Sequence, residues 1–468
     1  MYRMCLDWEP ETEIMRVAGK LISIGLTVVL TTIVGASPSS NSSYKNWPQW
    51  RGPYCNGSSE WGSPPVEWSE DQNVAWKVAI PGQGSSSPII WGDKVYLTTA
   101  VSKDEMEKVH PQSEQRPLSL GSQLGRQLFR KHKNPLNVFQ NFVVLAIDRG
   151  TGKLLWENTV KKIKPHEGHH QTGSYAASSA VTDGENVYAF FGSRGIYCLD
   201  ENGTLKWGKD LGRMSIKFNF GEGASPALYG ETLILPWDHE GQSFIVALDK
   251  KTGKELWRVD RDEDTSWSTP LVVEHDGGTQ VITSATHKIR SYDLVDGTLI
   301  WEVGGMTRNT IPTPVFEDGI VYLTSGFRGN SLLAIRISEA KGDITGSEAI
   351  VWNLDRDTPY VPSPLIYKKL LYLLKGNNGI LSVFDTRTGE LHSQKRIAGL
   401  GNIYSSPVGT AGRIYVTDRQ GKTAVLKAGS DPEVLYINSL EDEFNASMAI
   451  VGDEIYLRGK YLYRISIK

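Results

Sequence analysis

A chain of 468 residues is longer than one compact core requires, so it is built either of several domains or of one repeat array. Its 50 Lys+Arg against 53 Asp+Glu leave a net charge of −3, which excludes the basic field of a nucleic-acid-binding protein. Fourteen Trp and 47 Gly with 22% charged residues suit a turn-rich, aromatic-packed all-β chain, and the 3 cysteines form neither a disulfide framework nor a metal-type spacing.

The first element is an apolar run, Leu21–Val34, preceded by Arg16 and Lys20 and followed by Gly35 and Ala36. That is the layout of a signal peptide cleaved after Ala36; the other reading, a membrane anchor, meets the objection that the run is short for a span. Asp7, Glu9, Glu11 and Glu13 put acid where a signal carries base, so residues 1–14 read as an over-extended start, with Met15 opening the signal. Either reading makes the protein periplasmic, secreted or anchored to the envelope membrane through its N-terminus. Residues 37–71 are then a polar linker and a Trp/Pro-rich cap, NWPQWRGP at 46–53.

From residue 72 onward the chain repeats. Residues 146–156 read AIDRGTGKLLW, 247–257 read ALDKKTGKELW and 291–301 read SYDLVDGTLIW. A shorter copy, CLDENGTLKW, spans 198–207, and a decayed one, VFDTRTGELHS, spans 383–393 with Ser in place of Trp. In each copy Asp and Gly suit a tight turn between short strands, and Trp offers a flat surface that a neighbouring unit must bury. The motif residues are Asp148, Gly152 and Trp156; Asp200 and Trp207; Asp249, Gly253 and Trp257; and Asp293 and Trp301. Eight small-residue starts accompany them, around Ser87, Ser179, Ser225, Thr269, Thr313, Ser363, Ser406 and Ser447. Small residues belong where inner strands crowd an axis. From Ser179 the starts are 46, 44, 44, 50, 43 and 41 residues apart, whereas the first interval of 92 holds a unit plus an insertion at 102–140. Four strands per unit and eight units predict an eight-bladed β-propeller over 72–468. The last unit has room for only three strands, so the strand at 72–80 is expected to complete it and close the ring.

The AxDxxTGxxxW repeats resemble the tryptophan-docking motif of pyrroloquinoline-quinone (PQQ)-like propeller proteins. Ala146, Asp148, Thr151, Gly152 and Trp156 match in full, as do Ala247, Asp249, Thr252, Gly253 and Trp257, while Trp207, Trp301 and Trp352 match in part. The resemblance implies an all-β propeller and one of two roles. One is a non-catalytic envelope scaffold similar to the outer-membrane assembly lipoprotein; the other is a quinoprotein alcohol or sugar dehydrogenase using PQQ and calcium. The adjacent cysteines that such dehydrogenases often carry under the quinone do not occur, which favours the scaffold.

Propeller topology sorts the polar loops. If the first strand of each blade runs from face one to face two, the linkers between blades and the loops joining second and third strands share face one. The docking turns share face two. Face one then gathers His166, Glu167, His169 and His170, Glu222, Asp238, His239 and Glu240, Trp267 and His287, with Arg308 and Arg328. Imidazoles and carboxylates at a propeller mouth suit a divalent metal such as zinc or manganese, or a polar ligand, and Trp267 suits stacking. The expected role is a binding or scaffold module for a protein, peptide or glycan, without nucleic acid. The triplet Arg261-Asp262-Glu263 reads as an ion-pair network.

Overall fold

The central strands of each repeat are apolar on both faces. Lys94–Ser102 is buried from its second residue to its eighth, while the outer strand Leu154–Ile163 is exposed or half-buried throughout. Such strands are satisfied only between two neighbouring sheets, and a ring of sheets supplies both neighbours for every one. The computed structural model, which describes residues 46–103, 105 and 138–467, is that ring. Eight sheets follow one another, each built on four antiparallel strands; in the first seven these run in sequence order from inside to outside. Blades 1 to 7 start their first strands at residues 89, 181, 227, 271, 315, 365 and 408. Blade 8 has three C-terminal strands, and its fourth is Val74–Ala79, which pairs antiparallel with Tyr461–Ile465. First strands touch between blades 1 and 2, 2 and 3, 3 and 4, 5 and 6, and 6 and 7, and that of blade 1 touches that of blade 8, where the ring closes. The leader, the polar linker and nearly all of the insertion lie outside the described residues; Ser102 and Gln140, which bracket the insertion, pair with each other.

A belt of hydroxyls joins the blades at the hub. The amides of Ser87, Ser179, Ser225, Thr269, Thr313, Ser363, Ser406 and Ser447 each donate to the side-chain oxygen of the next residue in that series. The bonds measure 2.8–3.3 Å, and the last returns from Ser447 to Ser87. The small-residue starts are therefore donors and acceptors of a closed circuit, which satisfies backbone amides buried too close to the axis for a sheet partner.

Tryptophans join the blades further out. The Nε1–H of Trp76, Trp156, Trp207, Trp257 and Trp352 donates to the carbonyl of Arg149, Glu201, Lys250, Leu294 and Thr386 respectively, each in the turn of the following blade. Each indole covers a turn glycine with positive φ; a Cβ on Gly152 would lie 2.8 Å from Trp76. Asp148 fastens that turn by accepting from the amide and hydroxyl of Thr151 at 2.7 and 2.6 Å.

Three blades depart from the rule. Trp301 donates instead to Gln280, and Gly342–Asp343 adds a fifth, parallel strand beside it because the loop of blade 5 is long. In blade 6 the decayed position keeps a polar link, Ser393 Oγ to Ser430 O at 2.6 Å. In blade 7 Tyr436, opposite Val425 at the recurrent register shift, stands where other blades carry Trp. The indole that packs there comes from elsewhere: Trp68 stacks on Tyr415 at 6.4 Å, where in blade 1 Trp156 lies tilted against Tyr96 at 6.0 Å. Asn438 of blade 7 holds Trp68, accepting from its amide and donating to Val66 O.

Residues 46–59 cross the hub. Asn46 accepts from Gly92, Trp47 exchanges backbone bonds with Ile90, and Pro48 O accepts from Thr182, all in blades 1 and 2. Trp50, Arg51, Gly57 and Ser59 then bond to blades 6, 7 and 8. Cys55 and Cys198 form no disulfide among the described residues, and Cys55 Sγ accepts from Gln49 Nε2 at 2.9 Å.

Candidate functional site

The linkers between blades and the loops between second and third strands hydrogen-bond to one another from blade 1 to blade 4, forming one continuous face. His166 Nε2 is 2.8 Å from Met214 O, and Glu167 accepts from the amide of Ile216 at 3.0 Å. Ser193 Oγ accepts from the Met214 amide, and His239 Nδ1 accepts from the Ser215 amide at 3.1 Å. Thr265 links the next pair: its hydroxyl accepts from the Lys217 amide and donates to Glu240 at 2.7 Å. Glu263 accepts from the amides of His287 and Lys288.

Each carboxylate predicted from the sequence has a cationic or backbone partner. Glu222 meets the Arg194 guanidinium at 2.8 Å with both side chains under a tenth exposed, and accepts from the Ser193 amide and hydroxyl at 2.7 and 2.6 Å. A Cβ on Gly192, which has φ +57, would lie 1.7 Å from that carboxylate, so the site requires glycine. Asp238 takes the Arg261 fork at 2.8 and 3.1 Å, and Ser266 Oγ donates to it at 2.7 Å. Burial acts to depress the Arg261 pKa, but Asp238, Tyr292 and Glu263 together outweigh it and hold the guanidinium above its usual range. Burial raises the pKa of Glu263, whose partner Arg290 also binds Asp262 and Glu302. The triplet Arg261-Asp262-Glu263 is an ion-pair network.

The histidines are similarly engaged. His169 packs edge-on against Tyr175 at 4.5 Å, and His170 against Phe220 at 5.3 Å with Nδ1 at 2.7 Å from Thr172. Burial, with a smaller contribution from Arg194, lowers the His169 pKa although its bond to His170 O opposes this. His239 is buried, and its Nε2 lies 3.1 Å from Gln242 O. His287 is half exposed with Nε2 at 3.5 Å from Asp264. Trp267 is a packing residue as the structure places it, with Nε1 donating to Gly221 O at 2.7 Å. Among the described residues no group of three or more His, Cys, Asp or Glu converges in a way that could hold a metal ion.

What face one offers outward lies beside these residues. Lys217–Asn219 forms a short 3-10 turn in which Phe218 and Asn219 both have φ +54, and Phe218 is 76% exposed. Two successive non-glycine residues in the left-handed region cost about 1 kcal/mol each. The turn is held by Thr265 below, by Asp264 on Lys217 Nζ at 3.2 Å, and by the Phe220 ring at 5.6 Å from Phe218. Neither Phe218 nor Arg194 was singled out by sequence reasoning, although KFNFGEG carries two aromatics in a linker with no strand pattern. Farther round, an open cleft of about 580 Å³ between blades 7 and 8 is lined by Arg419, Gln420, Glu441, Asp442, Glu443 and Lys460.

Known proteins match this architecture. Solved structures with the same fold include BamB from Moraxella catarrhalis, with TM-score 0.51 and 15% identity over 70% of this chain and 89% of that one. Quinohemoprotein alcohol dehydrogenase from Comamonas testosteroni has TM-score 0.60 and 10% identity over 91% and 81%. Two proteins named outer membrane protein assembly factor BamB are similar in sequence. That of Yersinia pestis is 26% identical over 224 residues, 43% of this chain and 53% of that protein. That of Francisella salina is 29% identical over 100 residues, 21% and 18%. The matched segments thus span at most about half of either relative. The family model described as outer membrane protein assembly factor BamB covers residues 140–237 and 241–468, and the chain belongs to that family.

Proposed function

We propose that this protein is a cell-envelope scaffold that binds a protein partner through face one. The observation that carries this reading is Phe218, a large apolar side chain exposed on a turn held by Thr265, Asp264 and Phe220. A rigid exposed aromatic is what a protein interface uses as an anchor, because it loses little freedom on docking. The residues expected to bind a ligand form the support: His166, His169, His170, Glu222, Asp238, His239 and Trp267 tie loop to loop, while Glu240 pairs with Lys217 and His287 with Asp264, itself a partner of Lys217. The description shared by the relatives, an assembly factor for outer membrane proteins, accords with a scaffold in the envelope, where the N-terminal leader would deliver it.

Calorimetric titration separates this reading from the quinoprotein one. The mature protein is expected to take up neither PQQ with calcium nor zinc or manganese at micromolar concentration. Tight uptake of PQQ would overturn the scaffold reading, and uptake of zinc abolished by His169→Ala with His239→Ala would make face one a metal site.

A further inference from the structure

The outermost strand of blade 7, Glu433–Ser439, differs from the other seven. Val434, Leu435, Tyr436 and Ile437 are 44%, 44%, 41% and 37% exposed, and no charge lies among them. No other outermost strand exposes more than two apolar residues in succession. Glu157, Lys161 and Lys162 interrupt that of blade 1, Arg258 and Asp260 that of blade 3, and Lys395 and Arg396 that of blade 6. Charges of that kind keep an edge strand from pairing with another chain, and blade 7 lacks them. The cause is Trp68. It is almost fully buried where a docking tryptophan of blade 7 would pack, so Tyr436 at that position stays out in solvent.

The outer side of this strand pairs with no other strand among the described residues. Its backbone groups on that side are open to a further strand. Blade 4 shows that the ring accommodates one, since Gly342–Asp343 lies parallel beside Trp301 and Glu302 as a fifth strand.

Acid stands at both ends of the apolar strip. Glu433 precedes it, and Glu441, just past Ser439, lines the open cleft between blades 7 and 8 with Asp442 and Glu443. Asp442 is taken up by the amides of Lys460 and Tyr461, each at 3.0 Å, and Glu443 by Arg419. Glu433 and Glu441 are exposed, and neither carboxylate meets a cation among the described residues. These charges choose the occupant. A second copy, paired antiparallel about Tyr436, would set Asp431 of each chain against Glu441 of the other, acid against acid. An anionic lipid surface is repelled for the same reason. A strand with an apolar centre and a Lys or Arg at each end covers the strip and answers both carboxylates.

We propose that the outer edge of blade 7 binds a protein partner by strand addition, the added segment being extended, apolar at its centre and basic at both ends. Backbone hydrogen bonds along the edge supply affinity, while Val434 to Ile437 with Glu433 and Glu441 supply selectivity. The edge lies on the rim of blade 7, whereas Phe218 lies in the linker between blades 2 and 3, so its occupation does not depend on face one.

Fluorescence anisotropy of labelled synthetic peptides with the full-length protein tests this. One peptide alternates Val and Thr between terminal Lys residues, a second has Glu in place of each Lys, and a third is the first with alternate backbone nitrogens methylated. The Lys-ended peptide is expected to bind, the Glu-ended one roughly tenfold more weakly, and the methylated one not at all. Affinity for the Lys-ended peptide should fall roughly threefold in Glu441→Gln, vanish in Leu435→Lys at unchanged Tm, and persist in Phe218→Ala. No binding of the Lys-ended peptide, equal binding of the Lys- and Glu-ended peptides, or binding that survives methylation overturns the proposal. A dimer of the free protein in sedimentation that Leu435→Lys dissolves assigns the edge to a second copy instead. If Leu435→Lys does not fold, the methylated peptide decides on the unmodified protein.

Discussion

The amide of Ser447 donates to the hydroxyl of Ser87 across 3.0 Å, joining residues 360 positions apart and the last blade to the first. Each blade repeats that bond to its neighbour, so a closed ring of hydroxyls does at the axis what sheet pairing does within a blade. Only at this junction does it also hold chain ends together, because Val74–Ala79 completes the blade to which Ser447 belongs. Ser87→Ala removes the acceptor and leaves the Ser447 amide buried without a partner. A loss of about 1–3 kcal/mol in unfolding free energy is expected from denaturant titration.

Trp76 makes the same junction at the rim. It donates to Arg149 O at 3.0 Å and covers Gly152, so Trp76→Ala loses a large, half-buried ring at the seam. The expected cost is about 3–5 kcal/mol. Limited proteolysis should then cut first within residues 60–80, whereas Trp257→Ala, within the continuous part of the ring, should lower stability without exposing the N-terminal segment.

The Arg261–Asp238 pair supports the predicted face from below, with both side chains almost fully buried. Arg261→Met strands the Asp238 carboxylate, and about 3–5 kcal/mol should be lost. Adding Asp238→Leu should recover part of that loss, because the apolar pair no longer buries a lone charge. Thermal melts of the two single variants and the double variant measure the non-additivity.

Glu317 supplies a pH signature. Burial raises its carboxyl pKa to about 7, with Asp318 adding to the shift against Lys369 and Arg387, and its Oε2 has no hydrogen-bond partner among the described residues. The folded protein holds this proton more tightly than the unfolded chain, so the group favours folding below about pH 4.5, and that contribution is lost as pH rises through 7. After allowance for screening at this partly exposed site, Glu317→Gln should be about 1–2 kcal/mol more stable than the parent at pH 8. The gap should close towards pH 5, as chemical denaturation at the two pH values can show.

The blades were legible because the docking motif is local: Asp148, Thr151 and Gly152 make their turn within five residues, and Trp156 follows at fixed spacing. The closure by Val74–Ala79 followed from counting strands. Trp68 was not legible, since its role depends on Tyr436 standing where a tryptophan would dock, and nothing near residue 68 in sequence says so. The polar loops were harder for a related reason. Topology could assign them to one face, but Arg194 and Glu222 meet only because two blades bring together residues far apart in the chain, and a residue list cannot show which side chains such pairing leaves outward. Phe218 is conspicuous only in three dimensions, where its backbone conformation and exposure combine.

The scaffold reading is tested most directly by photo-crosslinking in the cell envelope, with a photoreactive residue placed at 218 and, as a control on the opposite face, at Lys251. The account predicts a discrete protein adduct from position 218, none from position 251, and loss of a 218-side adduct placed at His287 when Phe218 is changed to Ala. Adducts of equal yield from the two faces, or none from positions 218 and 287, would contradict it.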